Sequence, residues 1–244
     1  MLVGLALVIA SACVFNNYID RDIDQKMVRT KQRALVSGVI STKQAILYGL
    51  ILGSLGLIVL VLFTNLLTAL VGLIGFIAYV GVYGFWKRRS VHGTLIGSFS
   101  GAMPPVIGYC AYTNRLDMGA LLLFLMLTFW QMPHFYGIAL YRLADYTAAD
   151  IPVLPAVKGV VTTKVQSLYY VLLFIVASSL LTVFGYAGYT YLGFALLLGF
   201  TWLGIGIRDF NVVSGTHWGR GMFHFSLVVI TGLSLALSIG RVAP

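Results

Sequence analysis

Asn16-Asn17-Tyr18-Ile19-Asp20-Arg21-Asp22-Ile23-Asp24 places three carboxylates directly behind the apolar run Met1 to Ile19, in a chain with only seven acids. Carried on as a helix, the run stacks Asn16, Asp20 and Asp24 at i, i+4 and i+8, with Asn17 beside them and Asp22 turned the other way, toward water. One face of this helix end is therefore an oxygen-ligand surface.

The rest of the chain is membrane. At 59% hydrophobic and 9% charged residues it lies outside the range of soluble globular domains. Apolar runs of the roughly 20 residues that a bilayer requires fall at 1–19, 45–63, 66–86, 91–112, 118–140, 166–187, 189–207 and 221–240. They predict an all-α, polytopic transmembrane bundle of eight spans in a single domain, residues 1–244, with no Pro/Ser-rich or low-complexity linker to mark a boundary. Of the 16 Lys and Arg, 14 fall in alternate loops at 20–44, 86–90, 141–165 and 208–220, leaving Arg115 and Arg241 for the opposite side. The positive-inside rule places the acid cluster on the cytoplasmic face. The same asymmetry absorbs the net charge of +9, which on a soluble protein would point to nucleic acid, so no nucleic-acid partner is expected. Cys13 and Cys110 lie in apolar spans without a CxxC pattern and read as buried structural thiols. No cleavable signal or Arg-rich transit peptide precedes the first span, which predicts a retained first helix and a bacterial membrane.

A second acidic group follows the fifth span, with Asp145 in Tyr141-Arg142-Leu143-Ala144-Asp145-Tyr146 and Asp150 shortly after. Acids beside basic residues at a helix end are commonly just solvated interfacial groups. Asn16 and Asn17 argue against that for the first cluster, because unpaired amides at a membrane edge are costly. Two carboxylate groups meeting across a bundle would form a hard, oxygen-rich site suited to Mg2+, which keeps several waters and is completed by substrate phosphates. Arg29, Lys31, Arg33, Lys87, Arg88, Arg89 and Arg142 lie near enough in sequence to complete the electrostatics of a diphosphate leaving group.

The stretch 16–24 resembles the N-D-x-x-D-x-x-x-D signature of UbiA-type intramembrane prenyltransferases, and Arg29-Thr30-Lys31-Gln32-Arg33 resembles the basic segment that follows it. Within that superfamily the protohaem IX farnesyltransferase (haem O synthase) branch is resembled by Asn17 at the second signature position and by 91–98 and Pro104-Pro105-Val106-Ile107-Gly108-Tyr109. Trp130-Gln131-Met132-Pro133-His134-Phe135 and Ile151-Pro152-Val153-Leu154-Pro155 resemble it too. In the second motif Asp145 matches, whereas Ala149 stands four residues on and the acid is displaced to Asp150. The family's nine helices imply one more before Met1.

The resemblance implies that Asp20 and Asp24, with Asn16 or Asn17 and with Asp145 and Asp150, hold Mg2+ on farnesyl diphosphate. It implies that Arg29, Arg33, Lys87, Arg88 and Arg142 neutralise the leaving oxygens, that Tyr141 contributes to substrate binding, and that the acceptor is a vinyl group of haem b, with water completing the product. Haem A synthase or a terminal-oxidase assembly would receive that product. His134 is the haem candidate; as a helical residue seven before Tyr141 it lies about 10 Å below the helix end. His92 and His217 are weaker candidates and His224 reads as packing. Pro104-Pro105 should kink its span, and Gly49/Gly53/Gly56 and Gly97/Gly101 have helix-packing spacing. A UbiA-type enzyme acting on a quinone precursor, a secondary transporter and a haem-delivery protein are the alternatives. No Asp, Glu, Lys or Arg lies in the middle of any expected span, which disfavours the transporter.

Overall fold

The computed structural model describes residues 1–212 and 214–239. Arg241 and the last residue of the expected final span, Gly240, lie outside them. In chain order the helices are α1 (Leu2–Ile19), α2 (Arg21–Asp24), α3 (Thr42–Phe63), α4 (Leu66–Ile77), α5 (Gly84–Trp86), α6 (Gly93–Gly101), α7 (Met103–Thr113), α8 (Met118–Tyr141), α9 (Leu143–Ala148), α10 (Leu154–Val183), α11 (Tyr189–Arg208) and α12 (Gly215–Ile239). A π-helical segment, Ala78–Tyr83, joins α4 to α5, so Leu66–Trp86 forms one crossing.

Among the described residues seven helices are long and apolar enough to cross a membrane. The span expected at 91–112 is divided at Ala102 into helices of 9 and 11 residues. Pro104 and Pro105 explain the break: neither has an N–H for the carbonyls of Ser100 and Gly101, and proline sits comfortably only in a helix's first turn. Another boundary moved. The span expected at 166–187 is part of α10, which starts at Leu154 and is kinked at Gly159, where φ is +83°. That extension brings Lys164, read from sequence as a loop residue, into the helix. The lipid-facing side of α3 exposes Leu47, Ile51, Leu55, Ile58 and Leu62, a stripe at helical spacing.

The helices gather into two compact units, Met1–Leu116 with Ala144–Pro152, and Asp117–Leu143 with Val153–Pro244. In the first, α1 packs along α3 at a close crossing: a Cβ on Gly56 would lie 2.8 Å from the Val8 nitrogen and 2.9 Å from the Gly4 carbonyl oxygen. Small residues let the backbones approach, so dispersion contacts and Cα–H···O contacts hold a pair that lipid tails cannot squeeze together. Ser41 begins α3 with a reciprocal cap, its hydroxyl accepting from the Gln44 N–H while the Gln44 side chain accepts from the Ser41 N–H.

The second unit has the larger apolar core, centred on Phe174, Tyr191, Trp202, Trp218 and Met222. Each indole is satisfied: Trp202 donates to the Met222 carbonyl at 3.1 Å and Trp218 to that of Gly206 at 2.9 Å. Lys164, almost fully buried, donates to the Phe210 and Val212 carbonyls at 2.8 Å each. Its ammonium thus closes the chain leaving α11, where carbonyls lack helical partners.

Candidate active site

α1 ends at Asp20, where φ −88° and ψ 0° leave the helical range slightly. The ladder nevertheless continues, since the Asp20 N–H bonds the Asn16 carbonyl at 2.9 Å and the Asp24 N–H that of Asp20 at 2.8 Å. Asn16, Asp20 and Asp24 therefore stay on one face, as the spacing predicted. Asn16 Nδ2 donates to Asp20 Oδ2 at 3.0 Å.

Lys87, just beyond α5, completes this face. Its Nζ donates to Asn16 Oδ1 at 2.6 Å and to Asp20 Oδ2 at 2.5 Å, with only 9% of the side chain exposed. Burial holds its ammonium below the ordinary lysine pKa, an effect that Asp20 opposes by hydrogen bond and charge. Arg88 grips Asp22 with a two-pronged guanidinium, at 2.8 and 2.9 Å, reaches Asp20 at 3.4 Å and also donates to the Ile19 carbonyl. The Arg88 hydrogen bond lowers the Asp22 pKa despite an opposing burial effect. Asp22 is 65% exposed, as expected of a residue turned toward water, although Arg88 ties it to Asp20. The nearly buried Asp24 carboxylate, 6% exposed, accepts from Arg33 at 2.7 Å, while Thr30 bonds the Asp24 carbonyl at 3.1 Å and folds the basic segment back over it. Arg29 is exposed. The Asn17 amide is half-buried and makes no hydrogen bond among the described residues.

The second acidic segment belongs to the same unit. Ala149 is buried with Ile23 and Met27, and Tyr146 and Ile151 pack beside them. A carboxylate at 149 would lose its hydration in that apolar contact, which accounts for the acid's displacement to Asp150. Asp150 adopts the left-handed conformation, φ +55°, and pairs at the exposed rim with Lys26 at 3.2 Å. Asp145 is half-buried in α9. Among the described residues no three of His, Cys, Asp or Glu come together as a ready-made metal cage.

His134, Tyr141 and Arg142 belong to the second unit. α8 and α12 run antiparallel and cross at Gly137 and Gly219, where a Cβ on either would lie 2.8 or 2.6 Å from the other's carbonyl oxygen. This crossing seats His134 between Trp130, with ring centroids 4.8 Å apart, and Phe223, at 4.9 Å. Its Nδ1 lies 2.7 Å from Ser226 Oγ, whose hydroxyl donates to the Phe223 carbonyl at 2.6 Å. A hydroxyl has one proton; as Ser226 spends it on Phe223, His134 Nδ1 carries the shared proton and Nε2 keeps its lone pair.

Two expectations change. Cys110 is buried, but Cys13 is exposed on α1 and is not a core thiol. His224 is exposed and lines a polar cavity with Arg220, so it is not packing. Neither Arg220 nor Ser226 stood out in sequence, one being a single loop cation and the other an ordinary serine in an apolar run. The Lys87 pairing with α1 was likewise invisible as a contact.

The UbiA prenyltransferase family profile matches residues 1–228. The protoheme IX farnesyltransferase of Protochlamydia amoebophila (strain UWE25) is 52% identical over 236 residues, covering 97% of this chain and 83% of its own length. That of Yersinia enterocolitica (strain NCTC 13174 / 8081) is 52% identical over 239 residues, with 98% and 81% covered. Among solved structures, one of digeranylgeranylglyceryl phosphate synthase aligns with a TM-score of 0.79 at 20% identity, over 96% of this chain and 81% of that one. A UbiA homologue from Archaeoglobus fulgidus bound to GPP and Mg2+ aligns with a TM-score of 0.66 at 15% identity, over 98% and 86%. With its carboxylate ladder on α1 and this breadth of similarity, the chain belongs to the UbiA prenyltransferase family.

Proposed function

We propose that this prenyltransferase moves the farnesyl group of farnesyl diphosphate onto a vinyl group of protohaem IX, with addition of water, giving haem O and diphosphate. One observation carries the reading: at the end of a membrane helix two largely buried carboxylates, Asp20 and Asp24, each hold a cation supplied from elsewhere in the chain, Lys87 and Arg33. Such a cluster balances its own charge until a polyanion arrives to share the cations. The names of the relatives support the acceptor.

The donor set fits Mg2+ in a particular way. Asp20, Asp24, the Asn17 amide and Asp145 offer hard oxygens, but too few for a closed octahedral cage, so they suit an ion that keeps waters and shares the oxygens of a diphosphate. Bound there, Mg2+ would neutralise charge growing on the leaving group. Lys87, Arg33, Arg88 and Arg29 supply the remaining positive charge as the C1–O bond breaks and its electron pair passes to the diphosphate oxygen. The terminal vinyl carbon uses its π electrons to bond C1 of the farnesyl group, leaving a cation on the carbon attached to the porphyrin; a water oxygen bonds that carbon and releases one proton. The apolar helices keep bulk water from the first cation. His134, its ring held between Trp130 and Phe223, offers Nε2 to the porphyrin.

The 14-to-2 division of Lys and Arg supports a multi-pass orientation with the acid cluster facing the cytoplasm of a bacterial inner membrane. Haem A synthase or a terminal-oxidase assembly is the expected receiver of the product. The acceptor is tested by competition: purified protein with farnesyl diphosphate, Mg2+ and equal amounts of protohaem IX and 4-hydroxybenzoate should farnesylate only the haem. Prenylated hydroxybenzoate as the sole product would transfer the chain to the quinone branch.

A further inference from the structure

Past the Gly137–Gly219 crossing, the end of α8 and the first turns of α12 open into a cavity of about 290 Å3 lined by Tyr141, Arg142, Arg220, Phe223 and His224. Arg220 and His224 stand one helical turn apart, both exposed, and neither makes an ion pair or hydrogen bond among the described residues. This unit's two acids are committed elsewhere. Asp117 caps α8 at its other end, and Asp209 takes both prongs of Arg208 at 2.8 and 3.0 Å. Phe223 links the cavity to His134, its ring 5.7 Å from Tyr141 and 4.9 Å from His134, which stacks in turn on Trp130. Aromatic side chains thus run along α8 and α12 and stop at two guanidinium groups.

Resting on the farnesylation reading above, we propose that this cavity is the carboxylate subsite for the acceptor, with Arg220, flanked by Arg142 and His224, binding the propionates while the macrocycle lies along Phe223, His134 and Trp130. Protohaem IX is a flat apolar ring with two carboxylates on one edge, and the cavity mirrors that asymmetry. Guanidinium groups pair with carboxylates through two parallel N–H···O bonds, and aromatic faces suit a planar π system. Arg142 then serves the acceptor's carboxylates rather than the diphosphate. The phosphate of an anionic lipid headgroup would present similar chemistry, and the test separates the two.

The full chain, in nanodiscs of phosphatidylcholine alone or with phosphatidylglycerol, is titrated with protohaem IX and with its dimethyl ester, following the Soret band against empty discs. The wild type should bind the free acid roughly tenfold or more tightly than the diester, as expected for a charge-assisted pair. Arg220→Gln should close that gap without changing diester affinity or KM for farnesyl diphosphate, and Arg220→Lys should restore part of it. A gap that survives Arg220→Gln overturns the subsite. So does a variant that loses only a phosphatidylglycerol-dependent effect, which would assign the cavity to lipid phosphate. Failure of the farnesylation reading looks different: the wild type would then form no farnesylated haem at all, and the subsite would fall with it. Normal farnesylation with an unchanged KM for haem in Arg220→Gln sinks the subsite alone.

Discussion

Lys87 lies where one ammonium can bridge Asn16 and Asp20, and the partnership gives each carboxylate of the cluster a separate consequence on removal. Asp20→Asn keeps the shape and removes a charge from the proposed leaving-group site, so kcat should fall about 100- to 1,000-fold with the protein still folded in the membrane. Asp24→Asn should do the same and loosen Arg33. Native turnover in either variant, at native expression, would remove these residues from the chemistry. Ser226→Ala tests another residue-scale claim. It strips His134 Nδ1 of its acceptor, so haem binding should weaken and the Soret band shift while farnesyl diphosphate affinity holds, with a stability loss of about 1 kcal/mol. An unchanged Soret titration would show that the Ser226 contact does not orient the imidazole. At this scale the sequence was readable where local periodicity decides position. Asn16, Asp20 and Asp24 share a face because one helix repeats every 3.6 residues. Lys87 meets Asp20 across 67 residues and Ser226 meets His134 across 92, separations that only tertiary packing brings together.

Among elements, the α8–α12 crossing is the contact on which the proposed acceptor side depends. Gly219→Leu would place a Cβ 2.6 Å from the Gly137 carbonyl oxygen, where backbone cannot yield as a flexible side chain would. Overpacking of this kind typically costs about 1–3 kcal/mol. Thermal unfolding in detergent should show that loss, and haem binding should weaken with it because Phe223 and Ser226 move with α12. A variant as stable as wild type with normal haem affinity would contradict the close crossing. Most helices were legible as apolar runs, and the proline pair announced the fault in the span at 91–112. What periodicity could not show was how far that fault goes: with two successive N–H groups missing, the helix does not bend but restarts. The π-helical turn at Ala78–Tyr83 left no mark in the sequence either, since its residues are ordinary apolar and aromatic ones.

For the whole molecule, the charge division predicts one orientation. With Cys13 and Cys110 replaced by Ala, single cysteines at Lys31, Arg88 and Ala156 should react with an impermeant reagent only from the cytoplasm, and one at Asn114 only from outside. Labelling of position 31 from outside in intact cells would reverse the orientation. The most direct measurement of the central claim is the mass of the pigment recovered after purified protein, protohaem IX, farnesyl diphosphate and Mg2+ react in heavy-oxygen water. The account predicts haem heavier by one farnesyl group and one hydroxyl carrying the labelled oxygen, with one diphosphate released, and these products forming about 100-fold or more slowly with Asp20→Asn. Haem recovered unchanged from the wild type, with farnesyl diphosphate intact, would contradict it.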